Sequence, residues 1–94
     1  MRVEVVLPGV LAEDAGGTRA LLLEVAPDAV VRHVLDALAD RYPLLGRRLR
    51  DEAGVVRQHV NLFVDGEDVR RSAGQETPLT DGSVLLVLPN VSGG

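Results

Sequence analysis

The residues with a chemistry of their own stand at the end of the chain, which reads Pro89-Asn90-Val91-Ser92-Gly93-Gly94. Proline cannot donate to a β-ladder. Residues 1–88 are therefore expected to form the folded body and residues 89–94 a short flexible tail. Two glycines without Cβ atoms can enter a narrow channel and adopt backbone angles closed to other residues. The tip carries a group no side chain supplies, an unhindered α-carboxylate on Gly94, approached through Val91, Ser92 and Gly93. Taken alone, a terminal Gly-Gly reads as a frayed chain end.

The rest of the chain offers little competing chemistry. There is no cysteine, so a thiolate nucleophile, a thiolate metal site and a disulfide scaffold are excluded. All ten basic residues are arginine, which removes side-chain Schiff bases and isopeptide bonds. His33 and His59 lie far apart in sequence and make no convincing zinc site. Asp36 and Asp40 share a helical face but have no cleft in which to act as acid and base. Gly16-Gly17 reads as a turn, not a phosphate cradle, because no P-loop pattern follows. A net charge of −4 and only two aromatics, Tyr42 and Phe63, undersupply both phosphate neutralisation and base stacking. Nucleic acid is thus not an expected partner. No apolar run approaches the ~20 residues of a membrane span and no signal peptide opens the chain. A cytoplasmic protein, monomeric when free and with no membrane partner, is expected.

The 94 residues make one domain with an aliphatic core. Met1–Leu7 and Arg19–Val25 read as a strand hairpin around the turn composition of Ala12–Thr18. Asp28 precedes an apolar stripe of Val31, Val34, Leu35 and Leu38 and predicts a capped amphipathic helix that Pro43 ends. Leu44–Val56 is an Arg-rich connection with a helical turn expected near Arg47–Asp51. His59–Asp65 alternates as a half-buried strand, Asp65-Gly66 marks a turn, and Glu67–Arg70 is expected to return. Leu79 is expected to plug the core from the following loop. Ser83–Leu88 has the near-continuous apolar run of a central strand. The order β-β-α-β-β-β gives an α+β fold, a mixed sheet of four or five strands with one main helix packed on one face. The other face must meet water or a partner.

This succession, densest in Val60–Gly94 with its Asp-Gly turn, Pro-Leu-x-Asp-Gly loop and Gly-Gly end, resembles the ubiquitin-like β-grasp sulfur carriers. Within them it is most similar to the carrier of cysteine biosynthesis and the small subunit of molybdopterin synthase. Val87 and Leu88 stand where molybdopterin subunits often carry aromatics, which favours a cysteine-type or multi-pathway carrier. The resemblance implies a protein co-substrate rather than an enzyme, with no bound cofactor and no metal. An adenylating enzyme resembling ubiquitin activators would use ATP to activate the Gly94 carboxylate, and sulfur would displace AMP to leave a thiocarboxylate. That group would donate sulfur to an acceptor enzyme: a cysteine-synthase-like enzyme, a molybdopterin synthase large subunit or a biosynthetic thiolation enzyme. The alternative within the same fold is a ubiquitin-like modifier or a non-catalytic binding adaptor.

Both partners need a surface to dock on. In His59–Asp65, Val60, Leu62 and Val64 share one side, and Asn61, Phe63 and Asp65 the other. The aliphatic side is expected to meet the helix. The resemblance then puts Phe63 on the open face with Leu86 and Leu88, and Leu85 and Val87 inside. The competing reading buries Phe63, Leu86 and Leu88 under the Thr77-Pro78-Leu79 loop. Arg70 and Arg71 are either a basic rim around the tail or ordinary solvated charges.

Overall fold

The structure is a computed structural model and describes residues 1–89. Five strands form one mixed sheet in the order β2-β1-β5-β3-β4. They are β1 (Arg2–Val6), β2 (Ala20–Glu24), β3 (Val60–Val64), β4 (Glu67–Asp68) and β5 (Val84–Pro89). β1 pairs antiparallel with β2 and parallel with β5, while β3 pairs antiparallel with β5 and β4. The two-residue side-chain period does the rest. On one face Val3, Val5, Leu85 and Val87 are wholly enclosed, joined by Leu21, Leu23, Val60 and Leu62. Against them lies α2 (Val31–Arg41), whose Val31, Val34, Leu35 and Leu38 form the expected stripe.

Four local expectations are corrected. Asp28 does not cap α2. The N-cap is Val30, whose backbone N–H donates to Nδ1 of His33 at 2.9 Å, so a histidine one turn inside does the work of a capping carboxylate. Pro43 ends α2 but also opens a second helix, α3 (Pro43–Leu49), because a proline at the first helical position gives up an N–H that would have no partner anyway. Leu45 and Leu49 of α3 are buried, so the Arg-rich connection adds to the core. The β1–β2 connection is likewise more than a turn. A short helix, α1 (Gly9–Ala12), and a 3₁₀ turn (Glu13–Ala15) insert Leu11, Ala12 and Ala15 under the end of the sheet. Finally, Pro89 is the last residue of β5, opposite Val60, not the first of the tail. Its missing N–H would face the β1 side, where pairing stops at Val6 opposite Leu86, so no ladder bond is lost.

The return strand is shorter than expected. Asp65 (φ 50°) and Gly66 (φ 90°) make the left-handed pair of a tight hairpin turn. The Asp65 carboxylate also accepts from the Val84 N–H at 2.8 Å and from the Ser83 hydroxyl at 3.2 Å, which fixes the start of β5. After Asp68 the chain leaves the sheet in a 3₁₀ turn (Val69–Arg71), which the Asp68 carboxylate caps by accepting from the Arg70 N–H at 2.9 Å, with Val69 buried. Leu79 plugs the core as expected, and Pro78 bridges to Val30 at the start of α2.

α2 and α3 meet so closely at Gly46 that an added Cβ would lie 2.6 Å from the Ala39 Cβ and 2.8 Å from its Cα. Backbone cannot yield there as a flexible side chain would. Gly46→Val is therefore expected to destabilise the fold by about 1–3 kcal/mol through overpacking, read as a lower urea midpoint at unchanged slope.

Candidate functional site

The sheet face opposite α2 is uncovered. Register aligns Ala20, Val6, Leu86 and Phe63 in one row across β2, β1, β5 and β3. Leu88 sits one step towards the end of β5, opposite Asn61. Phe63, Leu86 and Leu88 are each partly exposed, and Leu86 and Phe63 form a direct cross-strand pair. The Thr77-Pro78-Leu79 loop packs on the helix side, with Leu79 inside the core, so it does not bury this patch. Sequence reasoning had no place for two further members. Val6 extends the row onto β1, and Leu22, 63 % exposed on β2, widens it. The alternation of Arg2-Val3-Glu4-Val5-Val6 carried the signal for Val6, since enclosing Val3 and Val5 puts the next strand position on the opposite side.

Arg70 and Arg71, expected as a rim, differ in their surroundings. The Arg70 guanidinium donates to both Asp68 carboxylate oxygens, at 3.1 and 2.8 Å, and to Oδ1 of Asn61 at 2.6 Å. It is thereby held at the edge of the open face beside the Asn61–Leu88 pair. Hydrogen bonds from the Arg70 side chain and backbone lower the Asp68 carboxyl to about 2, and the same pairing raises Arg70. Arg71 is exposed and helps line a hollow of about 410 Å³ with Phe63, Gly66, Glu67 and Asp68. β5 thus ends, at Pro89, alongside an apolar patch with a fixed arginine at its margin. Val91, Ser92, Gly93 and Gly94 lie outside the described residues.

Of the two histidines, His33 is committed to the α2 N-terminus and His59 is an exposed residue just before β3. Asp36 of α2 pairs with Arg50 at 2.7 Å, a surface bond between helix and loop. Among the described residues no helix is long and apolar enough to cross a membrane.

A mixed sheet folded around one principal helix, its other face bare and its last strand running through the middle, defines a ubiquitin-like β-grasp protein. The model of the ThiS family matches residues 5–94, and the chain belongs to that family. The sulfur carrier protein CysO of Mycobacterium tuberculosis is 33% identical over 96 residues, covering 100% of both chains. SAMP1 of Haloferax volcanii, a small archaeal modifier protein, superposes with a TM-score of 0.86 at 34% identity and full coverage of both chains. CysO in the BexX/CysO complex of Amycolatopsis orientalis gives 0.83 at 34% identity, covering 98% of this chain and 99% of that one. These relatives are carriers and modifiers, and one is seen in complex with another protein.

The pH dependence of the rim follows from the shift at Asp68. Its carboxyl falls from 3.8 to about 2 on folding, so the pair's stabilisation is complete above the unfolded value and is lost as pH drops through about 2. Carboxyl carbon NMR should show Asp68 titrating near pH 2, and Arg70→Ala should return it towards the ordinary aspartate range.

Proposed function

We propose that the protein is a sulfur carrier whose working group is the α-carboxylate of Gly94. A carboxylate is a poor acyl donor because its leaving group is an oxide. An ATP-dependent adenylating enzyme would let that carboxylate attack the α-phosphorus of ATP, releasing pyrophosphate and forming an acyl adenylate. A sulfide-equivalent nucleophile then attacks the acyl carbon and AMP departs, leaving a C-terminal thiocarboxylate. The thiocarboxylate sulfur attacks an electrophilic substrate held by an acceptor enzyme. The carrier binds no cofactor itself and acts as a co-substrate; ATP belongs to the activating partner. The observation that carries this reading is the similarity to CysO over the whole of both chains, with the family match running through Gly94. Cysteine biosynthesis is the favoured destination, with molybdopterin and secondary-metabolite thiolation as the other acceptors of the same chemistry.

Phe63, Leu86 and Leu88 form the docking patch in this reading, with Arg70 and Arg71 steering the tail of Val91, Ser92 and Gly93 into the partner's channel. An exposed aromatic in an aliphatic surround is the kind of residue that anchors an interface. The similarity to SAMP1 favours a second reading, in which the activated carboxylate is joined to an amine of another protein.

Intact mass separates the two. Incubation with an adenylating enzyme, ATP and a sulfur source is expected to add about 16 Da, the exchange of one oxygen for sulfur. A product heavier by a whole partner chain would establish the modifier instead. A variant amidated at Gly94 is expected to lose sulfur transfer completely, and equal transfer by that variant would overturn both readings. For the patch, Phe63→Ala should weaken docking to the adenylating enzyme by about 1–3 kcal/mol, measured by calorimetry. Loss of fold with undiminished docking of the native fraction would place Phe63 in the core instead.

A further inference from the structure

A second surface lies at the β3 edge, away from the open face. The Asp65 N–H donates to the Val84 carbonyl, so odd-numbered residues of β3 turn their backbone groups to β5 and even-numbered ones to the opposite edge. There Val64 pairs with Glu67, but β4 ends at Asp68. The Val60 N–H is taken up by the Arg57 carbonyl at 3.0 Å. The Val60 carbonyl and the Leu62 N–H are left facing outward, with no backbone partner among the described residues.

They face a groove of about 380 Å³, within the range of roughly 300–1,000 Å³ typical of ligand sites. Its walls are Val55, Val60, Leu62 and Val69. The groove is built in advance rather than left by a loose loop. Asp51 accepts from the N–H groups of Ala53 and Val55, the Arg57 N–H donates to Leu49, and Gln75 ties the two walls by donating to the Gly54 carbonyl at 2.8 Å. The charged residues lining the groove are Arg57, whose Nε donates to the Arg47 carbonyl at 2.7 Å and whose charge has no acidic partner among the described residues, and Arg70, already paired with Asp68.

We propose that this edge binds an extended, acidic segment of a partner protein by strand addition. The segment's backbone would bond to the Val60 carbonyl and the Leu62 N–H, alternate side chains would enter the apolar groove, and a carboxylate would meet Arg57. The groove borders the rim at Arg70 but lies along the strand edge and not on the open face, and its test requires no activation of the chain.

The probe is a hexapeptide of alternating valine and aspartate, acetylated and amidated at its ends, titrated into the full-length chain and followed by amide NMR. The Leu62 amide should shift and its hydrogen exchange slow at least tenfold, with shifts at Val69 and Gln75. A peptide of alternating valine and lysine should bind at least tenfold more weakly. Val55→Asp and Arg57→Glu should each weaken the acidic peptide at least tenfold while the amide spectra of β1 and β2 stay as in the parent. No shift at millimolar peptide, or shifts at Phe63 and Leu86 instead, overturns the proposal. Binding seen only after removal of residues 90–94 would assign the groove to the chain's own tail, and self-association abolished by Val55→Asp would assign it to a second copy. Either result overturns the partner-segment assignment.

Discussion

Everything in this molecule rests on one layer of aliphatic contact, that between the inward residues of β1 and β5 and the stripe on α2. Val3, Val5, Leu85 and Val87 meet Val31, Val34, Leu35 and Leu38 with essentially no exposure to solvent. Burying a side chain of this kind contributes about 1.5–3 kcal/mol, and the layer contains eight of them. Because side chains alternate along a strand, enclosing Leu85 and Val87 leaves Leu86 and Leu88 no choice but the other face. The patch next to the chain's exit is therefore a consequence of the core and not a separate arrangement. A one-residue slip of β5 would exchange the two faces, turning Leu86 and Leu88 inward and Leu85 and Val87 outward.

The same dependence explains what could be read from the residues and what could not. The α2 stripe and the alternation of Val60, Leu62 and Val64 are strong periodic patterns, and the strands and helix they imply are present. Leu79 was visible as the lone large apolar residue in a polar loop. α1 was not, because four residues after Pro8 are too few to show a helical period and local composition favours a turn. α3 did carry signals, a proline at its first position, Leu45 and Leu49 four apart, and Arg47 and Arg48 in its last turn. Those arginines read more simply as a solvated connection. The His33 cap depends on a side-chain bond closed only once α2 is in place, while Asp28 had the right residue type two positions too early. β4 stops at Asp68 because its carboxylate accepts from the Arg70 N–H and caps a 3₁₀ turn, a local side-chain bond that strand propensity does not weigh.

At the candidate site the division is sharper. The composition and order of Phe63, Leu86 and Leu88 could suggest an open face, but only the pairing of Phe63 with Leu86 and Asn61 with Leu88 shows that they form one surface. Arg70 illustrates the limit. Its sequence neighbours mark it as one of two adjacent surface arginines, yet the turn after Asp68 brings its guanidinium back across the sheet to Asn61, nine residues away in the chain. Arg71, one position on, makes no such bond among the described residues and lines the hollow beside Phe63. Which of two like charges is positioned is decided by a 3₁₀ turn that the Asp68 carboxylate caps.

The ionisable groups whose titration the fold displaces are surface pairs. Groups tuned for acid–base work are shifted mainly by burial in a cleft. Here the displaced groups are Arg32 with Glu76 and Arg70 with Asp68, and in both pairs the leading cause is the hydrogen bond between the partners at the surface. One pair fastens the loop before β5 to α2, and the other fastens the turn after β4 to the open face. The charges thus steady the loops on either side of the sheet. Arginine suits this duty, since its planar fork makes several directed bonds and it stays protonated throughout. On the proposed sulfur-carrier reading, the absence of lysine also leaves an activated acyl group no side-chain amine to react with on its own chain. Stiffening the rim and, on that reading, sparing the activated end are served by the same choice of arginine over lysine.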